Sequence, residues 1–108
     1  MDAAAEMETG NFDELADSAR AASDLLKALS NETRLMILCM LIDGEKSVSD
    51  LEELLDMRQP TVSQQLARLR ADRLVHTRRE GKMIYYGLAI DEAKVIIQAL
   101  YELYCAPK

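Results

Sequence analysis

The stretch that decides the fold runs from Ser47 to Leu88: SVSDLEELLDMRQPTVSQQLARLRADRLVHTRREGKMIYYGL. Its first part, SVSDLEELLDM, predicts a short helix with Val48, Leu51, Leu54 and Leu55 on the inner face. Ser47 and Asp50 form a capping-box-like pair at its start. A break at Met57-Arg58-Gln59 follows, and Pro60 then sits in the first turn of a second helix, where a missing N–H costs nothing. That helix, PTVSQQLARLRAD, turns Val62, Leu66 and Leu69 inward at spacings of 4 and 3. Next come two β-leaning runs, LVHTRR and KMIYYGL, around Glu80-Gly81, which predict a hairpin.

Upstream, Phe12, Leu15, Ala19, Ala22, Leu26 and Leu29 alternate at spacings of 3 and 4, a seam along one side of a helix. Ser30-Asn31 offers an N-cap for TRLMILCMLIDG, which Gly44 closes. Its run Leu35 to Ile42 is apolar on every side, so this helix is expected at the buried centre, with Cys39 in its middle. Downstream, Asp91 is expected to cap EAKVIIQALYELYC, where Val95, Ile96, Ile97, Leu100, Leu103 and Tyr104 make a face wider than one core contact needs. Such a face suits burial against both the domain and a second subunit. The order is helix, helix, helix–turn–helix, hairpin, helix. It predicts a mostly α fold with a small β-hairpin, a winged helix–turn–helix, over residues 12–105, behind a mobile acidic tail at 1–11.

The chain has 108 residues, enough for one domain with a real core. Its longest unbroken apolar run is eight residues, far short of the ~20 that span a bilayer. The acidic start MDAAAEMETG does not resemble a signal peptide, so a cytoplasmic location without membrane attachment is expected. Two Cys are too few for a disulfide framework, and one His excludes a His-rich metal site. No Ser/His/Asp, Cys/His or paired-carboxylate arrangement supports an enzyme.

The net charge of −6 argues against a nucleic-acid binder, but its distribution does not. Residues 58–82 hold seven basic side chains against two acidic ones, a local +5, and the other 83 residues carry −11. A basic segment alone marks only an exposed face. Here it coincides with the second helix of a helix–turn–helix, the one whose exposed N-terminal residues meet base edges. With the apolar positions turned inward, the exposed set is Gln59, Thr61, Ser63, Gln64, Gln65 and Arg68. Gln and Arg suit bidentate contacts to adenine and guanine, and Ser or Thr can contact bases or phosphates. Arg78, Arg79 and Lys82 sit at the hairpin tip, within reach of flanking backbone or a minor groove. A double-stranded DNA partner is therefore expected; the other class of reading is a protein-interaction module that uses this fold without DNA.

LLKALSNETRLMILCML, the Ser47–Leu88 block and the final helix together resemble the ArsR/SmtB family of bacterial winged-helix repressors, over residues 25–105. The resemblance implies a homodimer built from the first and last helices, bound to an inverted-repeat operator until an inducer arrives. Carried onto this chain, the recognition contacts fall on Thr61, Ser63, Gln64 and Gln65, the last where many members carry His. Metal-sensing members carry Cys-Val-Cys-Asp-Leu on the third helix; here the matching residues are Ser47, Val48, Ser49, Asp50 and Leu51. Hydroxyls are poor ligands for soft metals, and the last helix has no His for the alternative site, so no metal or other cofactor is expected. The sole histidine, His76, falls on the first wing strand.

Cys39 and Cys105 remain. By themselves they read as a buried small hydrophobe and a stray thiol. ILCML and LYELYC, however, resemble the persulfide- and redox-sensing subgroup that includes BigR, HlyU and SqrR. In that subgroup the matching cysteines are linked by reactive sulfur species or oxidants and the operator is released. The resemblance thus implies a repressor whose inducer links Cys39 and Cys105; a thiophilic metal, haem or a peroxide is the alternative inducer for the same fold.

Overall fold

The computed structural model describes residues 12–105; the tail expected over 1–11 lies outside the described residues. The elements are α1 (Phe12–Leu29), α2 (Glu32–Met40), β1 (Lys46–Ser47), α3 (Val48–Leu55), α4 (Gln59–Ala71), β2 (Val75–Glu80), β3 (Met83–Leu88) and α5 (Asp91–Tyr104). The helix order matches the sequence reading. The sheet has one strand more, because β1 is only two residues long and carries no periodicity to read. It pairs antiparallel with β3, giving the order β1-β3-β2.

Local chemistry explains the boundaries. Asn31 Oδ1 accepts the Arg34 N–H at 3.0 Å and starts α2. The helix stops at Met40, short of the expected Gly44, and a turn carries the chain onward. Ser47 and Asp50 exchange both bonds of a capping box, each at 3.1 Å, at the start of α3. Asp56 then takes the left-handed conformation (φ 53°), which Asp tolerates better than most residues, and turns the chain toward α4. After α4, Arg73 is also left-handed (φ 61°). Its N–H donates to the Arg70 carbonyl at 3.0 Å, and the Leu74 N–H to the Leu69 carbonyl at 2.9 Å. This is a Schellman stop with buried Leu69 and Leu74 in the accompanying apolar positions. The wing pairs Val75 with Leu88 through Glu80 with Met83, so its loop is Gly81-Lys82, one residue later than expected. Gly81 (φ 62°) supplies the positive φ that a two-residue hairpin of this hand requires.

One core joins these elements. Ile37 and Leu38 of α2, Leu51 of α3, Val62, Leu66 and Leu69 of α4 and Ile97 of α5 are fully buried, so α2 is indeed central. Two further expectations need correction. Leu54, placed inward by the sequence, is 55% exposed, because Leu51 and Leu55 already fill the α3 contact. Asp91 is the first residue of α5 rather than its cap; Ile90 holds that position without a side-chain bond. The α1 seam reaches the core only at Leu29, beside Ala28, and leaves Phe12 77% and Leu26 58% exposed. The wide face of α5 likewise divides: Ala93 and Ile97 are buried, while Val95 (68%) and Leu103 (69%) face outward.

Candidate nucleic-acid interface and thiol pair

Burying Val62, Leu66 and Leu69 fixes which way α4 presents its other side chains. Thr61, Gln64 and Arg68 are exposed, and Ser63 and Gln65 are half-buried. No acidic side chain lies within the helix, so nothing on it repels a phosphate. Gln59 Nε2 donates to Ser63 Oγ at 2.5 Å, which orders the first turn. Arg68 Nε donates to Asp72 at 2.8 Å in a solvent-exposed ion pair one turn apart. Gln65 is different: its Oε1 accepts from Arg34 Nη1 at 3.0 Å, across to α2. Sequence reasoning missed Arg34, which lies 31 residues away and matches no local pattern.

The three wing cations are also unequal. Arg78 donates from Nε to Glu45 and from Nη1 to Glu80, both at 2.7 Å, and lies 4.9 Å over the Tyr85 ring. These carboxylates hold its guanidinium charge still more firmly than usual. Arg79 and Lys82 are exposed and make no side-chain ion pair among the described residues. The wing thus offers two uncommitted cations per chain and one that braces the β2–β3 ribbon against Glu45.

Cys39 is half-buried on α2, Cys105 is exposed at the end of α5, and both are free thiols. The α2 and α5 helices pack against each other, and a surface cavity of about 310 Å³ lies between them, lined by Cys39, Ile42, Asp43, Gln98 and Tyr101. Burial pushes the Cys39 thiol up from its ordinary value, and the neighbouring charge of Cys105 pushes it further. Tyr101 shares this cavity with Cys39, and Cys105 follows Tyr101 by one helical turn, so the α2–α5 packing brings together the segments of the chain that carry the two thiols despite 66 residues of separation. Ser47, where a metal-sensing relative would carry a thiolate, is buried and fully engaged in its helix cap. His76 lies exposed on β2, away from both cysteines in the chain.

An exposed helix free of acid, a basic antiparallel wing beside it and a shared core define a winged helix–turn–helix transcriptional regulator. The family model described as "Bacterial regulatory protein, arsR family" matches residues 31–77. The chain is 55% identical over 84 residues to the biofilm growth-associated repressor of Agrobacterium fabrum, covering 78% of this chain and 72% of that one. The structure superposes on reduced HlyU from Vibrio cholerae with a TM-score of 0.83 at 46% identity, covering 86% of this chain and 98% of that one. It also matches a homodimeric winged helix–turn–helix DNA-binding domain from Mycobacterium bovis, with a TM-score of 0.74 at 30% identity over 89% of each chain. The chain belongs to the arsR family of bacterial regulatory proteins. Among the described residues, no helix is long and apolar enough to cross a membrane.

Proposed function

We propose that the chain is a homodimeric repressor that holds an inverted-repeat operator and releases it when persulfide or polysulfide links Cys39 to Cys105. In this reading Gln59, Thr61, Ser63, Gln64 and Arg68 enter the major groove on α4, and Arg79 and Lys82 meet flanking phosphates. The exposed apolar strips of α1 and α5 supply the dimer face; the matched Mycobacterium bovis domain is homodimeric. The single observation that supports the sensing half is the packing of α2 on α5, which sets Cys39 in a cavity with Tyr101, one turn before Cys105, with both thiols free. The matched Vibrio cholerae structure is of HlyU in its reduced form.

The chemistry balances without a metal. The two thiols give up two protons and two electrons. One zero-valent sulfane sulfur accepts them and leaves as hydrogen sulfide; any others remain in the bridge between the cysteine sulfurs. Tying the central helix to the last helix biases the placement of the two reading heads, and half-site spacing is a rigid requirement. The test compares operator affinity of the reduced and polysulfide-treated protein, with Cys39→Ser and Cys105→Ser alongside, and weighs the treated protein by mass spectrometry. Release in wild type alone, with added sulfur mass and both thiols consumed, is expected. Release by either single variant refutes the two-thiol switch, and unmodified thiols with bound metal or haem refute the sulfur inducer. Operator affinity unaffected by both Gln64→Ala and Arg68→Ala would refute DNA reading by α4.

A further inference from the structure

Arg34 is the third residue of α2, and its N–H is fixed by the Asn31 cap. From that fixed start the guanidinium donates to three acceptors on two other helices. Nε reaches the Ala28 carbonyl at 2.8 Å and Nη2 the Lys27 carbonyl at 3.3 Å, both in the last turn of α1. Nη1 reaches Gln65 Oε1 on α4 at 3.0 Å. The α1 carbonyls are among those a helix end leaves without an intrahelical partner, and a cation there meets the negative end of the helix dipole. Both side chains are at least half-buried, so water competes only from one side.

We propose that Arg34 is a positioning residue for the reading helix, with Gln65 as its anchor rather than a reader of bases. The inference rests on the DNA-reading function above and deepens it. A guanidinium is planar and its donors form a fixed fork, so its bonds to α1 and α4 are not independent. Rotating α4 against α1 breaks one set or drags both. The α1 helix carries the exposed Phe12, Leu15 and Leu26 strip, the surface that in a dimer sets the separation of the two heads. Arg34 therefore connects the element that sets half-site spacing to the element that reads each half-site. Gln65 fits the anchor role: bidentate reading of adenine needs both the oxygen and the nitrogen of the amide, and its oxygen is directed at Arg34. Exposed Gln64 has both groups available.

The test uses the full chain and a duplex probe selected by the wild-type protein from a randomised pool. Affinity is measured for that probe, for each single-base-pair variant of it, and for versions whose half-sites stand one base pair closer or farther. Thermal unfolding of each variant checks the fold. Arg34→Met and Gln65→Met should each weaken binding about tenfold, the scale of one hydrogen bond to a charged group. The double variant should be no weaker than either single one. All three should relax the spacing penalty while leaving the rank order of base variants unchanged. Gln65→Glu keeps an acceptor for Arg34 and should keep the spacing penalty. If Arg34→Met does not fold, Arg34→Lys and Gln65→Met carry the same comparison, since an ammonium cannot bridge both helices. A Gln65→Met protein that loses preference at one base pair and keeps its spacing penalty makes Gln65 a base reader and overturns the proposal. Folded variants with wild-type affinity and spacing penalty overturn it equally. A wild-type chain that selects no sequence refutes DNA reading itself, and the anchor with it.

Discussion

The unequal wing cations give a quantitative expectation. Each phosphate contact releases condensed counterions, so log K falls with log salt by about 0.9 per contact on duplex DNA. Among the described residues Arg79 and Lys82 have no ion-pair partner, and in a homodimer each occurs twice. Replacing either by Ala should therefore flatten the salt slope by about 1.8. Referred to 1 M salt, that is a loss of about 60-fold in affinity at 0.1 M. Arg78 should behave differently, because Glu45 and Glu80 already neutralise it at 2.7 Å. Arg78→Ala removes no phosphate contact: affinity falls because two carboxylates lose their partner, and the slope stays. The converse variant, Glu45→Gln with Glu80→Gln, frees the guanidinium and should steepen the slope by up to about 1.8 in the dimer. The assay is fluorescence-anisotropy titration of an operator duplex at four or five salt concentrations between 0.05 and 0.3 M, by order of magnitude the range where such slopes are linear. If Arg78→Ala flattens the slope as much as Arg79→Ala does, the ion pairs do not survive on DNA and the reasoning fails. If no wing variant changes the slope, the wing does not lie on phosphates.

Three further outcomes follow from the same structure. Leu103→Asp removes an exposed apolar side chain worth about 2 kcal/mol of burial per protomer; with two copies the dimer dissociation constant should rise about a thousandfold, read by sedimentation. A wild-type association unchanged by it refutes the α5 face. Cys39 holds its proton more tightly in the folded chain than in the unfolded one, whose thiol keeps the ordinary 9.0. Its contribution to stability is then complete below pH 9.0 and is lost as pH rises through the higher folded value. Iodoacetamide at neutral pH should alkylate exposed Cys105 first, with Cys39 labelling climbing about tenfold per pH unit below its pKa; equal rates at pH 7 refute the burial argument. Arg73→Gly relieves a left-handed residue whose strain costs about 1 kcal/mol, which should raise the melting temperature by about 4–8 °C. A lower melting temperature refutes the strain.

The fold was legible because its decisive signals are local. Val62, Leu66 and Leu69 keep helical spacing, Ser47 and Asp50 form a box three residues apart, and Gly81 marks the hairpin. What escaped was non-local or too short to carry a period. The two-residue β1 exists only because β3 is there to pair with it. The outward turn of Leu54 depends on how much of α3 the core has room for. At the candidate site, exposure of Thr61, Gln64 and Arg68 followed from periodicity, whereas the partners did not. A residue's type says which bonds it can make, and the fold decides which are already made. Arg78, Arg79 and Lys82 read alike in the sequence and differ in the structure for that reason.

The same distinction orders the proposed switch. A link between Cys39 and Cys105 acts on α2 and α5, neither of which is the reading helix. To release DNA, strain there must reach α4; the close-packed core transmits displacement, but its contacts do not tie particular atoms of one helix to those of another. Directional bonds do. Arg34 lies five residues before Cys39 on the same helix, more than one turn away, and holds both the end of α1 and Gln65 of α4. Any rotation of α2 large enough to bring a sulfur bridge to Cys105 must move that guanidinium or break its bonds. The two proposals therefore make a joint demand: removing the Arg34–Gln65 bond should weaken the response to polysulfide as well as the spacing penalty. A chain that loses the spacing penalty yet keeps its full polysulfide response would separate the switch from the anchor and require another route to α4.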